Sequence, residues 1–136
     1  MQNVFVDTDV TLDLLSLRHP FYIHSAKLFS SAEKGEIKIY VSSLSFSNLN
    51  YILTKQYTAF EAKKALIRFK QLVTILAVTE KEIEMVLNAD FSDFEDAIQY
   101  YAATENNIQV LITRNLKDYK TATIAVMTAE QFLINT

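Results

Sequence analysis

The apolar run Val4-Phe5-Val6, followed at once by Asp7, is the feature that most constrains how this chain can fold. A continuous apolar run of this kind predicts a strand buried on both faces, as in a parallel sheet covered by helices. Asp7 would then lie where the strand ends, just before a helix predicted to begin at Val10. Ligands of open α/β sheets bind beyond the carboxyl ends of the strands. We therefore expect Asp7 to serve function more than packing.

Segments typical of strands and helices alternate along the rest of the chain. Further strands are predicted at 37–41, 72–76, 109–113 and 123–127, and helices at 10–17, 21–34, 43–55, 58–71, 79–89, 92–106 and after 128. Thr8 or Asp9 is expected to cap the first helix, and Gly35 to close the second in a left-handed conformation. This alternation predicts one α/β domain over residues 1–136, a three-layer α/β/α fold with a central, mostly parallel five-stranded sheet. Capping-box spacing marks four helix starts: Thr58 with Glu61, Thr79 with Glu82, Ser92 with Glu95, and Thr128 with Gln131.

The composition excludes several classes of protein. The chain has 136 residues and no cysteine, so disulfides and thiolate metal sites are excluded and a cytoplasmic location is expected. No apolar run approaches the roughly 20 residues that a membrane span needs. A single glycine leaves no glycine-rich cradle for phosphates, and therefore no P-loop or dinucleotide motif. The formal net charge of -3 argues against nucleic-acid binding through global charge, but it is compatible with a local basic strip.

Polar residues that can carry chemistry follow the predicted strands or begin the predicted helices. Clustered carboxylates offer the hard oxygen ligands that Mg²⁺ and Mn²⁺ prefer, with waters and phosphate oxygens completing the coordination shell. Such a site can activate water for displacement at a phosphodiester. A divalent-metal site is therefore predicted at the carboxyl edge of the sheet. The candidate residues are Asp7, Asp9, Asn48, Asp93, Glu95, Asp96, Thr113, Arg114, Asn115 and Asp118.

Three segments together resemble the PIN domain family. They are Val-Phe-Val-Asp-Thr-Asp-Val at 4–10, Ser-Asp-Phe-Glu-Asp-Ala-Ile at 92–98, and Ile-Thr-Arg-Asn-Leu-Lys-Asp-Tyr at 112–119. The likeness covers nearly the whole chain, and more narrowly it is to the small toxins of the VapC type. The resemblance implies a Mg²⁺- or Mn²⁺-dependent ribonuclease that hydrolyses RNA, is usually a homodimer and is silenced by a small antitoxin protein.

By position, the resemblance assigns Asp7 and Asp96 to the first and third acids of the family's site. The second acid, normally a Glu after the second strand, falls at Asn48, and the fourth falls at Asn115 with Asp118 as a possible substitute. An amide keeps an oxygen acceptor but loses the charge, so weaker metal binding is expected. The implied catalytic set is Asp7, Asp96, Asn48, Asn115 and Thr113, where Thr113 would orient an acid or a water. The implied metal set is Asp7, Asp96, Asp93 and Asp118.

A basic strip is predicted beside this site, at Arg114, Lys117 and Lys120. It is placed to contact RNA phosphates, although a solvated loop would have the same composition. Helix capping or the helix dipole would also account for three of the acids: Asp9, Asp93 and Glu95.

Two other functions compete with this interpretation. Residues 7–11 also match Asp-x-Asp-x-Thr, the first motif of haloacid-dehalogenase-type phosphatases. That mechanism needs a later Lys and a glycine-containing metal loop, and Gly35 is the only glycine. The stronger rival is a PIN fold that binds metal poorly and serves as an RNA-binding or protein-interaction module, as Asn48 and Asn115 suggest. Convergence of Asp7, Asp96 and a third carboxylate would discriminate between enzyme and module.

Overall fold

A computed structural model describes residues 1–119 and 122–134. Its strands are β1 (Gln2–Val6), β2 (Ile37–Ser42), β3 (Val73–Leu76), β4 (Val110–Ile112) and β5 (Ala125–Met127). They form one all-parallel sheet in the order β3-β2-β1-β4-β5. Its helices are α1 (Thr8–Leu15), α2 (Tyr22–Glu33), α3 (Ser43–Gln56), α4 (Ala59–Lys70), α5 (Glu80–Leu87), α6 (Phe94–Glu105) and α7 (Ala129–Ile134), with a 3-10 turn at Leu116–Tyr119.

Helices cover both faces of the sheet, as the apolar run in the first strand predicts. Successive side chains of a strand point to opposite faces. Val4 and Val6 pack in one cluster with Leu28 of α2, whereas Phe5 packs in another with Ala103 of α6. All three strand residues are fully buried. The predicted three-layer α/β/α fold is therefore confirmed. Within residues 1–119 and 122–134, no helix combines the length and the apolar character needed to cross a membrane.

Most predicted helix signals are confirmed. Gly35 closes α2 with a φ of 79°, in the left-handed region that suits glycine. Reciprocal side-chain and backbone hydrogen bonds are present in three of the four predicted capping boxes: Thr58 with Glu61, Thr79 with Glu82, and Thr128 with Gln131.

Two predicted caps are wrong, and both errors concern the candidate site. The N-cap of α6 is Asp93 and not Ser92, because the Asp93 carboxylate accepts the Asp96 backbone N–H at 2.9 Å. α1 begins at Thr8, two residues earlier than predicted, with Asp7 at the N-cap position. The Asp7 side chain makes no capping hydrogen bond. Its carboxylate is therefore free to face the carboxyl edge of the sheet.

Candidate active site

Asp7 lies at the carboxyl end of the central strand β1, and it is 2% exposed. Its backbone N–H donates to the carbonyl oxygen of Ile112 at 2.9 Å, which continues the pairing of β1 with β4. The hydroxyl of Thr113 donates to Oδ2 of Asp7 at 2.7 Å, and Nε2 of Gln99 donates to Oδ1 at 3.0 Å. Both carboxylate oxygens are thus held in one orientation. Thr113 makes the contact with an acid that the sequence led us to expect.

Gln99 is a part of the site that the sequence did not reveal. It is fully buried on α6, three residues after Asp96. Besides donating to Asp7, its amide accepts the backbone N–H of Thr8 at 3.2 Å. These two partners fix which end of the amide faces the acid, because Oε1 must accept from Thr8. The available signal was a polar residue one helical turn from Asp96, within a stretch of mostly apolar side chains.

Asp96 lies in the first turn of α6 and is 6% exposed. The pKa of Asp96 is raised to about 8. Burial is the largest cause, and the negative charges of Asp7, Asp93 and Asp118 add to it. A hydrogen bond with the Asp118 carboxyl group acts in the same direction. The structure therefore brings the two principal predicted acids, Asp7 and Asp96, into one electrostatically coupled cluster with the two further predicted metal ligands.

The pKa of Asp7 is raised from 3.8 to about 6, chiefly by burial. The hydrogen bonds from Thr113 and Gln99 act in the opposite direction because they favour the ionised form. Nearby Asp9 and Glu95 add repulsion. These acids therefore contribute negative potential at the site, whatever further roles they have in the helix starts.

Tyr119 borders the acidic cluster at the end of the 3-10 turn, and it was not predicted from the sequence. The residue is 3% exposed. Burial, followed by the charges of Asp7 and Asp96, raises the pKa of this phenol well above its ordinary value. Tyr119 therefore remains a neutral phenol beside these carboxylates.

The two amides predicted at acid positions differ in their surroundings. The side chain of Asn115 donates to Oδ2 of Asp9 at 3.1 Å, and its backbone N–H donates to Oγ1 of Thr113 at 3.0 Å. Asn115 is therefore linked to Asp7 through Thr113. Asn48 lies half-buried on α3. The hydrogen bonds seen among the described residues do not link it to Asp7.

Only part of the predicted basic strip is free of contacts within the described chain. Nε of Arg114 donates to Oδ2 of the buried Asp13 at 2.8 Å, and the guanidinium carbon lies 4.2 Å from the centre of the Phe21 ring. Its terminal nitrogens are left to contact a ligand. Lys117 is exposed on the 3-10 turn, and the predicted Lys120 lies outside the described residues.

The carboxylates in the described part of the chain do not form a complete metal cage. Among residues 1–119 and 122–134, no three His, Asp or Glu side chains are arranged to hold an ion together. Asp93 already uses one oxygen to cap α6. Asp118 is the third carboxylate whose charge raises the pKa of Asp96. Unlike Asp93, it caps no helix in the described part of the chain.

Solved structures share this fold. The VapBC-1 structure from nontypeable Haemophilus influenzae has a TM-score of 0.70 at 15% identity, over 95% of this chain and 99% of that one. Mycobacterium tuberculosis VapC20, a sarcin-ricin loop cleaving toxin, has a TM-score of 0.69 at 18% identity, over 90% and 96%. Rickettsia felis VapBC2, bound to a DNA fragment from the promoter, has a TM-score of 0.66 at 18% identity, over 93% and 97%. At such identities the likeness establishes the fold alone.

The family is established from the sequence. No curated protein matches the chain at a significant level. The family model of the PIN domain, however, matches residues 3–117. That range includes β1, the start of α6 and the turn after β4, where the three resembling segments lie. The resemblance is therefore confirmed, and the chain belongs to the PIN domain family.

Proposed function

We propose that this PIN domain is a metal-dependent ribonuclease that hydrolyses RNA phosphodiester bonds, and that it is the toxin of a toxin–antitoxin pair. The observation that carries the proposal is the coupling of two buried carboxyl groups, Asp7 and Asp96, at the carboxyl edge of the sheet. Burying acids that repel one another is unfavourable unless a cation or a proton compensates for the charge. Acids whose pKa values are shifted in this way are concentrated at functional sites.

The donor set suits Mg²⁺ or Mn²⁺. Mg²⁺ is commonly held by one or two carboxylates together with waters and substrate phosphates, so a complete protein cage is not required. Asp7 and Asp96 would hold the ion, with Asp118 and Asp93 adding negative charge beside it. When bound, the ion would neutralise this charge, acidify a water and stabilise the phosphate oxygens.

The other residues of the site would position these two acids and contact the RNA. Thr113 and Gln99 hold the two oxygens of Asp7 in place. Tyr119, which is buried within reach of the charges of Asp7 and Asp96, would place a neutral phenol beside them. Lys117 and Lys120 would contact RNA phosphates, and the terminal nitrogens of Arg114 would contact the RNA beside them.

The biological setting is proposed by likeness to the structural neighbours. VapC20 is a toxin that cleaves the sarcin-ricin loop, and two other neighbours are VapBC assemblies. For this chain we propose RNA as the substrate, a small antitoxin protein as the partner, a homodimer as the assembly and the cytoplasm as the location.

A catalytically weakened PIN module for RNA or protein binding is the second candidate. Asn48 and Asn115 favour it, because both replace a charged oxygen with an amide at positions where the family has acids. The incomplete metal cage among the described residues points in the same direction. The phosphatase alternative is no longer needed, since the chain belongs to the PIN domain family.

Calorimetric titration of Mn²⁺, followed by an RNA cleavage assay, tests the proposal on wild type, Asp7→Asn and Asp90→Asn. Asp90 is an exposed acid, so Asp90→Asn is a control for losing one negative charge. We expect binding and cleavage in wild type and control, and neither in Asp7→Asn, whose fold should remain intact by circular dichroism. Near-normal cleavage by Asp7→Asn would refute the mechanism. Wild type that binds no Mn²⁺ up to millimolar concentration would favour the interaction module.

A further inference from the structure

A pocket of about 250 Å³ opens beside the acidic site, between α1, α2, the turn after β4 and the start of α7. Val10, Phe21 and Ala129 form apolar parts of its wall, and Arg114 and Glu130 supply polar groups. Sites for drug-sized ligands measure roughly 300–1,000 Å³. The pocket is smaller, and it therefore suits one small ring system.

Arg114 offers this pocket hydrogen-bond donors in a fixed orientation. Its Nε–H is bound to the buried Asp13, and its guanidinium lies against the Phe21 ring. A guanidinium carries five N–H groups in a rigid fork, so the terminal groups remain as donors. The Arg114 side chain is 28% exposed, which leaves those donors accessible. Little side-chain entropy would be lost when they bind a ligand.

Glu130 offers the same pocket a hydrogen-bond acceptor. Its Oε2 lies 2.8 Å from Nε2 of His24, and its side chain is 60% exposed. This contact engages one carboxylate oxygen and links the start of α7 to α2. The other oxygen can accept a hydrogen bond from a ligand. The pocket therefore combines a donor group, an acceptor group and apolar walls.

The charges in the pocket favour a neutral ligand over a phosphate. Asp13 already neutralises Arg114, and Glu130 adds a negative charge that would repel an anion. Guanine is neutral and has complementary edges: O6 and N7 accept from an arginine, and N1–H and the N2 amino group donate to a carboxylate. Adenine lacks this pair of adjacent donors.

We infer that this pocket binds one guanine base of the RNA and gives the active site a base preference, an inference that rests on the proposed RNA substrate. A short connection joins pocket and acid. Asn115 lines the pocket, and its backbone N–H donates to Thr113, whose hydroxyl donates to Asp7. A base in the pocket and a phosphodiester at Asp7 would lie on either side of this turn.

Chemical-shift titration with guanosine and with adenosine tests the inference on the folded protein. Neither nucleoside carries a phosphate, so binding does not depend on the acidic site or on a metal. We expect wild type to prefer guanosine by roughly tenfold or more, because one good bidentate contact discriminates bases by roughly 5- to 150-fold. Equal affinity for both nucleosides, no binding of either, or tighter binding of inorganic phosphate would overturn the inference.

Three substitutions by glutamine distinguish recognition of guanine by the Glu130 carboxylate from an effect on the shape of the pocket. Glu130→Gln should reduce the guanosine preference to about twofold or less, because it removes the negative charge and replaces one of the two acceptor oxygens with an amide nitrogen that donates. His24→Gln removes the imidazole from this contact but keeps the carboxylate, and Glu105→Gln breaks the remote pair with Lys81. Both should retain the wild-type preference. Loss of the preference in His24→Gln would show that the contact between His24 and Glu130 only shapes the pocket, and would overturn the assignment of Glu130.

RNA cleavage distinguishes failure of this inference from failure of the proposed function. Two single-stranded RNAs of equal length, with and without guanosine, would be compared in the same assay. Guanosine binding without any cleavage would refute the nuclease and leave the base site standing. Cleavage of both RNAs at equal rates would overturn the base preference and leave the nuclease standing.

Discussion

Replacing Asp7 with Asn is expected to stabilise the metal-free protein at neutral and higher pH. Burial raises the pKa of Asp7 from 3.8 to about 6, so the folded state holds this proton more tightly than the unfolded chain does. Stability is therefore greatest below the unfolded-state value and falls as the pH rises through the window between the two values. An amide resembles the protonated carboxyl group, because each has one acceptor and one donor side. Asp7→Asn should keep the low-pH stability at every pH.

The size of the effect follows from the two pKa values. Each unit of difference between the folded and unfolded states corresponds to about 1.4 kcal/mol, so ionised Asp7 lowers the free energy of unfolding by about 3 kcal/mol. The amide can still accept from Gln99 and donate to Oγ1 of Thr113, the two partners of the carboxylate. Removing the charge also relieves Asp96, whose pKa Asp7 raises. That relief adds stability in the same direction.

Urea unfolding from about pH 4 to about pH 8, with a chelator present, measures this effect. Asp7→Asn should exceed wild type by about 3 kcal/mol at the upper limit, and the difference should disappear toward the lower limit. Asp90→Asn, which alters an exposed acid, should stay within about 0.5 kcal/mol of wild type throughout. A difference that does not change with pH, or a variant less stable than wild type at the upper limit, would refute the reasoning.

Three further outcomes follow from the same contacts. Mn²⁺ affinity, measured by calorimetry, should increase as the pH rises through the pKa of Asp7, about 6, and that of Asp96, about 8. The reason is that the ion must displace the protons of both acids. An Mn²⁺ affinity that does not change with pH would contradict this. Arg114→Ala should lower the free energy of unfolding by roughly 3 kcal/mol, because the buried Asp13 loses its cation. Adding Asp13→Asn should recover much of that loss in the same urea assay. Gln99→Leu should lower the free energy of unfolding by about 2 kcal/mol, since two buried partners each lose a hydrogen bond. It should also weaken Mn²⁺ binding roughly tenfold. Unchanged Mn²⁺ binding would argue against a positioning role for Gln99.

The sheet and the position of Asp7 could be predicted because both follow from local patterns. An unbroken apolar run specifies a strand buried on both faces, and alternation with helices specifies parallel pairing. The all-parallel sheet then places the ends of β1 and β4 side by side, which brings Asp7 next to Thr113. Asp96 joins them because α6 covers the face of the sheet to which Phe5 points.

The remaining features depend on contacts between distant parts of the chain, which no local pattern records. Gln99 and Asp7 are 92 positions apart, and Arg114 and Asp13 are 101 apart. Neither pair has a sequence spacing that would signal it. The wrong cap at Ser92 has a different origin. Serine and aspartate are both good N-cap residues, so propensity alone could not choose between Ser92 and its neighbour Asp93.

The two candidate functions differ in how the charge of the acidic cluster is compensated. Burial and mutual repulsion disfavour the ionised forms of Asp7 and Asp96. A cation that binds only the folded state removes that penalty and stabilises the fold by mass action, whereas a metal-free module retains it. Asn115, which is linked to Asp7 through Thr113, adds no charge beside these acids. It therefore lowers both the penalty and the metal affinity, but it leaves the coupled pair itself intact. Mg²⁺ binds readily to such a pair when a substrate phosphate supplies further oxygens. The balance therefore favours a nuclease that recruits its ion together with the RNA over a module that binds no metal.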